Sequence, residues 1–524
     1  MRVLIAATLS LAAVLSVPQS QAQTPKAGGT LIYAVNAEPP NYDCTASTSY
    51  VMQQTLGLHY SQLLKFDPDN YPKFKPDVAE SYQISPDQLT VTFKLRQGVK
   101  FHDGTVLTSE DVKATFERLR KPPANVVSVR QASFEDIDTI ETPDASTVVF
   151  KLVKPNASIM NTFAAPTYCL YSAKRIAADP EWPKRNIMGT GPFVFREHVA
   201  GSHWVGARFA DYFVPNRPYL DGIRIQFITG APMINALQGG QIMAEFRGIT
   251  PADRERLKAA LGDKILIEEV PWICRIDLFF NTTKPPYNDA RVRRALSMAI
   301  DRQGGAANLS RVTFVRDVGS VLRPGDELAI PPQELEKVPG FGKDIVARRA
   351  EARKLLSDAG AANLKFSLLN RTVPQPFGPV ALFVIDQWRQ IGVTVEHAPR
   401  ELAQQKAAIL SGNFEAGIDA NCYDTDEPNN ELLMYLSKER SPINQSQHSD
   451  PIIDDLFEKQ KRARTLDERK SYLRQLEARL FDQAYNVPLI WWHRIVARSP
   501  AIKGWKLLPT HYVNQDMVDV WLDQ

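Results

Sequence analysis

The sequence predicts an α/β protein with parallel strands, and two stretches carry that reading. From residue 347 on, helix and strand patterns alternate. Ala352, Leu355, Leu356 and Ala359 form one helical face closed by Gly360, and Leu364, Phe366 and Leu368 follow at strand spacing. Residues 379–391 read as a helix ended by Gly392, and Val393 and Val395 begin another strand. Such alternation joins parallel strands by helical crossovers. The second stretch is 274–302. Ile276, Leu278 and Phe280 alternate with Arg275, Asp277 and Phe279, and Pro285 and Pro286 stop the strand. Asn288 or Asp289 caps a helix whose Val292, Ala295, Leu296, Ala299 and Ile300 make one apolar stripe. Arg291, Arg293 and Arg294 are expected on its solvated side, and Gly304 and Gly305 end the pattern.

Length and composition bound the rest. A chain of 524 residues exceeds one ordinary core, and the length prior gives about two to four domains. Hydrophobic residues at 44% and charged residues at 23% fit a soluble globular protein. A net charge of +3 is small for this length and argues against a nucleic-acid or acidic-polymer partner. The 37 prolines against 27 glycines favour fixed connections over flexible linkers.

The N-terminus reads as a secretory signal. Arg2 precedes an apolar run over 3–17, Pro18 breaks it, and Ser20-Gln21-Ala22 offers small residues for cleavage after Ala22. The run is shorter than the roughly 20 residues of a membrane span, and no cysteine follows it closely, so neither a membrane anchor nor a lipid anchor is expected. The four cysteines, Cys44, Cys169, Cys274 and Cys422, form no C-x-x-C pair. An even number in an oxidising compartment points to disulfides, with three full pairings open; four buried thiols are the alternative.

In chain order, 29–35 reads as a first strand and 38–41 as a loop, with helical character over 51–64. Leu89, Val91, Phe93 and Leu95 alternate after a Ser85-Pro86-Asp87 turn, and Thr108 with Asp111 makes a capping box before Val112, Phe116 and Leu119. The run 85–95 is echoed by 142–152, two turn-strand units of one sheet. Residues 450–484 read as helical and 487–497 as a bulky strand.

No enzyme signature is present: G-x-S-x-G, H-E-x-x-H, the phosphate loop and a strand-linked G-x-G-x-x-G are all absent, and the eight histidines show no metal-ligand spacing. No enzyme activity, metal or cofactor is expected. The chemistry-bearing run is 417–428, Gly-Ile-Asp-Ala-Asn-Cys-Tyr-Asp-Thr-Asp-Glu-Pro, a strand that ends in three acids. It sets Asn421, Cys422, Tyr423 and Asp424 at the carboxyl end of a strand, where open α/β sheets collect ligands. For Asp424 the alternatives are a ligand-facing carboxylate and a solvated loop acid or cap; Asp426 and Glu427 are read as caps of the following helix. Trp491, Trp492 and His493 sit in the last long strand, whose alternation sends the two tryptophans to opposite faces. They and Trp272 line either the cleft or the core.

Several of these segments resemble the peptide- and nickel-type extracytoplasmic solute-binding proteins of family 5 of bacterial ABC importers. Asn281, Pro286, Tyr287, Asp289, Val292, Arg293, Ala295, Leu296, Ala299, Ile300 and Asp301 match one family segment, and Thr90 to Gly104 matches the best-known signature. Residues 189–193 (Gly-Thr-Gly-Pro-Phe) and 219–223 (Tyr-Leu-Asp-Gly-Ile) resemble the turn and strand after the family's inserted domain. Gly240-Gln241-Ile242-Met243 departs from the family's Gly-x-x-Asp and removes a carboxylate.

The resemblance implies a two-lobed periplasmic-binding-protein type II fold with an extra domain inserted in lobe 1. Lobe 1 is then 23–55 with 190–273 and 492–524, the inserted domain 56–189, and lobe 2 274–491, after a signal peptide over 1–22. It implies a monomeric periplasmic protein that encloses a short peptide or amine-bearing molecule and hands it to an ABC permease in the inner membrane. The alternatives are a nickel chelate, an opine, a sugar or an aromatic or lipid-like compound on the same fold, a sensor, and an exported hydrolase. It further implies that Asp424 meets the ligand's ammonium group, that Asn41 and Tyr42 contact the ligand backbone, and that Cys274 pairs with Cys422, which leaves Cys44 with Cys169.

Overall fold

The computed structural model describes residues 24–47, 49–373 and 375–524; the expected signal at 1–22 lies outside the described residues. One mixed sheet runs through the molecule. Its spine is a pair of long antiparallel strands, Leu266–Phe280 and Asn486–Arg498. On one side follow Ala244–Glu245, Thr30–Val35, Gly222–Phe227, His203–Arg208 and Phe193–Val199; on the other, Ala416–Cys422, Lys365–Arg371 and Thr394–Arg400. Parallel pairing, expected from the helix–strand alternation, holds between Thr30–Val35 and Gly222–Phe227 and between Lys365–Arg371 and both its neighbours. The spine and the outer hairpins are antiparallel.

All thirteen residues of Asn486–Arg498 are buried, which is why the strand reads as an unbroken bulky run rather than an alternating one. The spine crosses from one lobe to the other. Leu266 to Pro271 pair with Arg498 to His493 in the first lobe, the register breaks between Pro271 and Arg275, and Arg275 resumes opposite Trp491 in the second. The break lies next to Cys274 and Trp491.

Each lobe has its own core. Leu31, Tyr33, Trp204, Ile223 and Val496 anchor that of lobe 1, and Ile276, Leu278, Leu296, Trp388 and Ile490 that of lobe 2. A third core lies under a separate antiparallel sheet ordered Ala79–Ile84, Thr90–Leu95, Thr147–Leu152, Ile137–Asp144. The two echoed units are neighbours there, with Val91 opposite Phe150 and Phe93 opposite Val148. Helix Ser109–Arg120 covers this sheet, with Phe116 packed on Phe150 at 5.1 Å, and its Thr108–Asp111 box closes with Thr108 N donating to Asp111 Oδ2 at 2.8 Å. Cys169, Tyr171 and Ile176 pack instead into the lobe 1 core. Two disulfides join Cys274 to Cys422 and Cys44 to Cys169, and no other cysteine is present.

Several local expectations need correction. The helix expected over 51–64 is only Tyr50–Leu56, and the chain turns at Gly57, where an added Cβ would lie 2.5 Å from the Gln53 carbonyl oxygen. Asp289 does cap Ala290–Met298, accepting from Arg291 N at 2.8 Å, and the apolar stripe is buried. Arg293, however, is not solvated: it is buried and donates to the carbonyls of Gln483 at 2.8 Å and Tyr287 at 2.6 Å. Gly304 and Gly305 do not end helical structure either. Asp301 caps a new helix, Arg302–Leu309, that contains both. Gly305 lets the Phe383 ring approach, since an added Cβ would lie 2.3 Å from its Cζ. The helical stretch 450–484 is two helices, Pro451–Lys461 and Leu466–Gln483.

Candidate functional site

The lobes meet over the loop that follows strand Ala416–Cys422. Cys422 is the last strand residue and is tied to the spine through Cys274, its cross-strand partner. Five residues on, Glu427 accepts from Asn429 N at 3.2 Å and caps the short helix Pro428–Glu431. Between these fixed ends the loop turns Asp424 toward the inserted domain.

Asp424 is buried and forms an ion pair with Arg130, which comes from the inserted domain on the opposite side of the cleft. Thr167 donates to the same carboxylate at 3.4 Å, and Thr510 donates to the Asp424 carbonyl at 2.7 Å. Asp424 is therefore no solvated loop acid, and its charge is matched within the protein. Asp426, expected as a cap, instead takes a bidentate guanidinium: Arg323 Nε and Nη2 donate at 2.7 and 2.8 Å. Such a fork fixes geometry as well as charge. Glu427 pairs with Arg469 and accepts from Ser158 of the inserted domain. Farther along, Lys461 bridges to Glu135 at 2.8 Å and Asp136 at 2.9 Å. Thr425 donates to Asn161 Oδ1 at 3.1 Å, and Asp426 N donates to the Tyr71 hydroxyl at 3.2 Å. These contacts form a polar seam that closes one side of the cleft. A cavity of about 90 Å³ opens along it, lined by Arg130, Ser158, Thr167, Glu427, Asn430 and Lys461 among others.

The hinge side is built from aromatics and one arginine. Trp272 lies beside the register break, and its indole N–H donates to His511 Nδ1 at 2.9 Å. That bond needs an unprotonated Nδ1, and burial, helped by Arg247 and Arg494, holds the His511 pKa well below the ordinary value. Arg247 lies against two rings, its guanidinium carbon 4.5 Å from the Tyr50 centroid and 5.3 Å from that of Trp272. Its backbone is fixed from both sides: Glu245 accepts the N–H groups of Arg247 and Gly248 at 2.9 and 2.6 Å, and Arg494 Nε donates to the Arg247 carbonyl at 2.9 Å. Gly248 allows the approach of Trp272, whose Cη2 would lie 3.0 Å from an added Cβ. Burial raises the Glu245 pKa. The Tyr512 hydroxyl joins the two walls electrostatically; burial and then Asp424 raise its pKa, while Arg247 and Arg130 oppose them.

The residues expected around a ligand are thus divided. Asp424 reaches the cleft, Cys422 is exposed beside it, and Asn421 and Tyr423 are half-buried; Asn421 donates to Asp277 Oδ2 at 2.6 Å. Trp272 is buried at the hinge and Trp492 packs on it at 5.4 Å, inside the lobe 2 core. Trp491 is fully enclosed: it donates to the Ser320 carbonyl at 3.0 Å and carries the Arg275 guanidinium over its ring. Both tryptophans are core residues because the strand is covered on both faces. His493 is held among Asp317, Glu269 and Arg316. Asn41 closes a turn, accepting from Asp43 N at 2.9 Å, and the Tyr42 hydroxyl meets His198 Nδ1 at 2.9 Å beside Trp204. Both of these belong to local packing of lobe 1. Arg130, Arg247, Tyr50 and Tyr512 escaped the sequence reading because isolated residues in unrelated segments leave no spacing to detect. Among the described residues no cluster of three or more His, Cys, Asp or Glu could hold a metal ion, and no helix is long and apolar enough to cross a membrane.

Residues 73–442 match the family model of bacterial extracellular solute-binding proteins, family 5 (middle). A Brucella ovis protein with the provisional name ABC transporter peptide-binding protein is 32% identical over 323 residues, which are 58% of this chain and 55% of that one. The chain thus matches about half the length of that relative. Heme-binding protein A of Haemophilus influenzae is 26% identical over 555 residues, covering 97% of this chain and 96% of its own. Among solved structures, the ABC transporter substrate-binding protein CtaP of Listeria monocytogenes superimposes with a TM-score of 0.83 at 24% identity, covering 95% of this chain and all of its own.

Proposed function

The chain belongs to the bacterial extracellular solute-binding proteins of family 5, and from that premise we propose that it is the periplasmic substrate-binding component of an ABC importer. It encloses a short peptide or another amine-bearing small molecule between its lobes and delivers it to the permease. It acts as a monomeric binder, not as an enzyme. The observation that carries this reading is the cleft itself: two lobes with separate cores, joined by two long strands, closing over a carboxylate that is met from the opposite wall. A carboxylate of that kind suits an ammonium group, because a buried charge is stable only when a partner takes up its field. On this reading the ligand's ammonium exchanges with Arg130 for Asp424. Three separate cores support a division into lobe 1, inserted domain and lobe 2.

Native mass spectrometry of protein purified without denaturation tests the proposal, followed by calorimetry with di- to pentapeptides. A co-purifying small molecule, or a peptide bound in the micromolar range or tighter, is expected. Protein that carries no solute and binds none of the peptides would refute the reading. A second reading, a non-peptide metabolite in the same cleft, is favoured by Asp424 already being neutralised by Arg130.

A further inference from the structure

We infer that Arg247 is the receptor for an acidic group of the solute, so that the solute is anionic or zwitterionic, with a carboxylate or an equally charged oxyanion at the hinge end of the cleft. This rests on the solute-binding reading and adds the class of molecule to it.

The first ground is charge matching. At the cleft the Asp424 carboxylate faces Arg130, a balanced pair. At the hinge Glu245 faces two arginines, Arg247 and Arg494. Arg494 is buried and donates to the carbonyls of Phe246, Arg247, Leu508 and Thr510, so its donors are occupied. Both Glu245 carboxylate oxygens are occupied by backbone N–H groups. One positive charge is therefore left over, and it sits on Arg247. Among the described residues its side chain makes no ion pair and no hydrogen bond, and its Nε is buried with no partner. A buried guanidinium N–H without an acceptor is costly to maintain, and an incoming oxyanion removes that cost.

The second ground is preorganisation. A guanidinium that lies on aromatic faces keeps its N–H groups free in its own plane, which is the direction in which a carboxylate is recognised bidentately. The rings of Tyr50 and Trp272 lie against the Arg247 guanidinium, while Glu245 and Arg494 hold its backbone. Trp272 is itself fixed by His511 and by Trp492. The fork is set before any solute arrives, so little entropy is lost on binding. When an ammonium takes the place of Arg130 on Asp424, as proposed above, the site fits a molecule with an amine at one end and an acid at the other.

The experiment uses the full exported protein and two sets of probes. Di- to pentapeptides are titrated by calorimetry as free acids and as C-terminal amides, against wild type, Arg247→Gln and Arg247→Lys. Solute released from native protein is treated with acidic methanol and weighed, since each carboxyl gains one methyl. Truncating one partner of a buried charge pair typically weakens binding by about thirtyfold or more. Amidation and Arg247→Gln are each expected to have that effect, their effects should not add, and Arg247→Lys should recover part of the loss. A released solute bearing a carboxyl, phosphate or sulfate group supports the inference when the peptides do not bind. Acids and amides that bind wild type equally, or a released solute with no acidic group, overturn it and leave solute binding intact. Wild type with no bound solute and no peptide affinity overturns the functional reading as well. The acid-to-amide comparison on wild type stands even if a variant fails to fold.

Discussion

On the function proposed above, Asp424 is the group that meets the ligand's amine. In Asp424→Asn the shape is kept and the charge is lost, so Arg130 loses its counterion and an amine-bearing peptide loses its anchor. Affinity for such a peptide is expected to fall by about 2–5 kcal/mol, against about 0–1 kcal/mol for an exposed pair. N-acetylation of the peptide should weaken wild type by a similar factor and leave the variant nearly unchanged. Equal affinities of wild type and variant would remove Asp424 from the ligand contacts. A second residue carries a pH signature. His59 is buried, its Nδ1 donates to the Phe193 carbonyl at 2.7 Å, and its Nε2 accepts from the Trp204 indole at 2.9 Å. Burial lowers its pKa from the ordinary 6.5 to about 3. The folded state therefore holds fewer protons there than the unfolded chain, and the stability that neutral His59 supplies is complete above pH 6.5 and lost as pH falls toward 3. In urea titrations the advantage of wild type over His59→Gln is expected to shrink by about 1.4 kcal/mol per pH unit below 6.5. A constant difference would contradict it.

At the scale of elements, Asp289 is the capping residue of Ala290–Met298. Asp289→Ala should cost about 1 kcal/mol through the orphaned Arg291 N–H, read as a lower urea midpoint with an unchanged slope. This helix shows why some elements were legible. Its stripe of Val292, Ala295, Leu296, Ala299 and Ile300 is periodic and its cap is local, so the sequence contains the whole instruction. Arg293 was misread because its burial is set by carbonyls of Tyr287 and Gln483, one of them nearly two hundred residues away. The tryptophans of the last strand were open for a similar reason. Period-two alternation separates faces only when one face is wet, and Asn486–Arg498 is covered on both. Asp424 is legible as a candidate because it follows the end of a strand in the acidic run 417–428. Its partner Arg130 lies 294 positions away in an irregular stretch, and no pattern links the two.

At the scale of the whole molecule, the seam sets how readily the lobes part. Lys461 reaches Glu135 and Asp136 while its own carbonyl accepts from Ala157 N at 2.8 Å. Lys461→Ala removes the charged contacts and leaves the backbone one. Hydrogen bonds to charged groups contribute about 1.5–3 kcal/mol, enough to shift an open–closed balance about tenfold or more. Small-angle scattering of solute-free protein should show a larger radius of gyration for Lys461→Ala than for wild type, and a saturating solute should restore the compact form. Identical radii in the solute-free state would mean that the seam does not govern closure.

The spine also imposes an order of assembly. Asn486–Arg498 lies between Leu266–Phe280 and Ala244–Glu245, so the sheet is interrupted until that strand is in place. On the periplasmic reading proposed above, the N-terminal half of the chain crosses the membrane first, while this strand arrives almost last. Until then the nascent protein presents two half-sheets with unpaired, mostly apolar edges, the kind of surface that recruits other chains. Its yield in a cell is therefore set by whatever shields those edges during translocation, and a premature stop before residue 486 is expected to give insoluble material rather than a shortened binder.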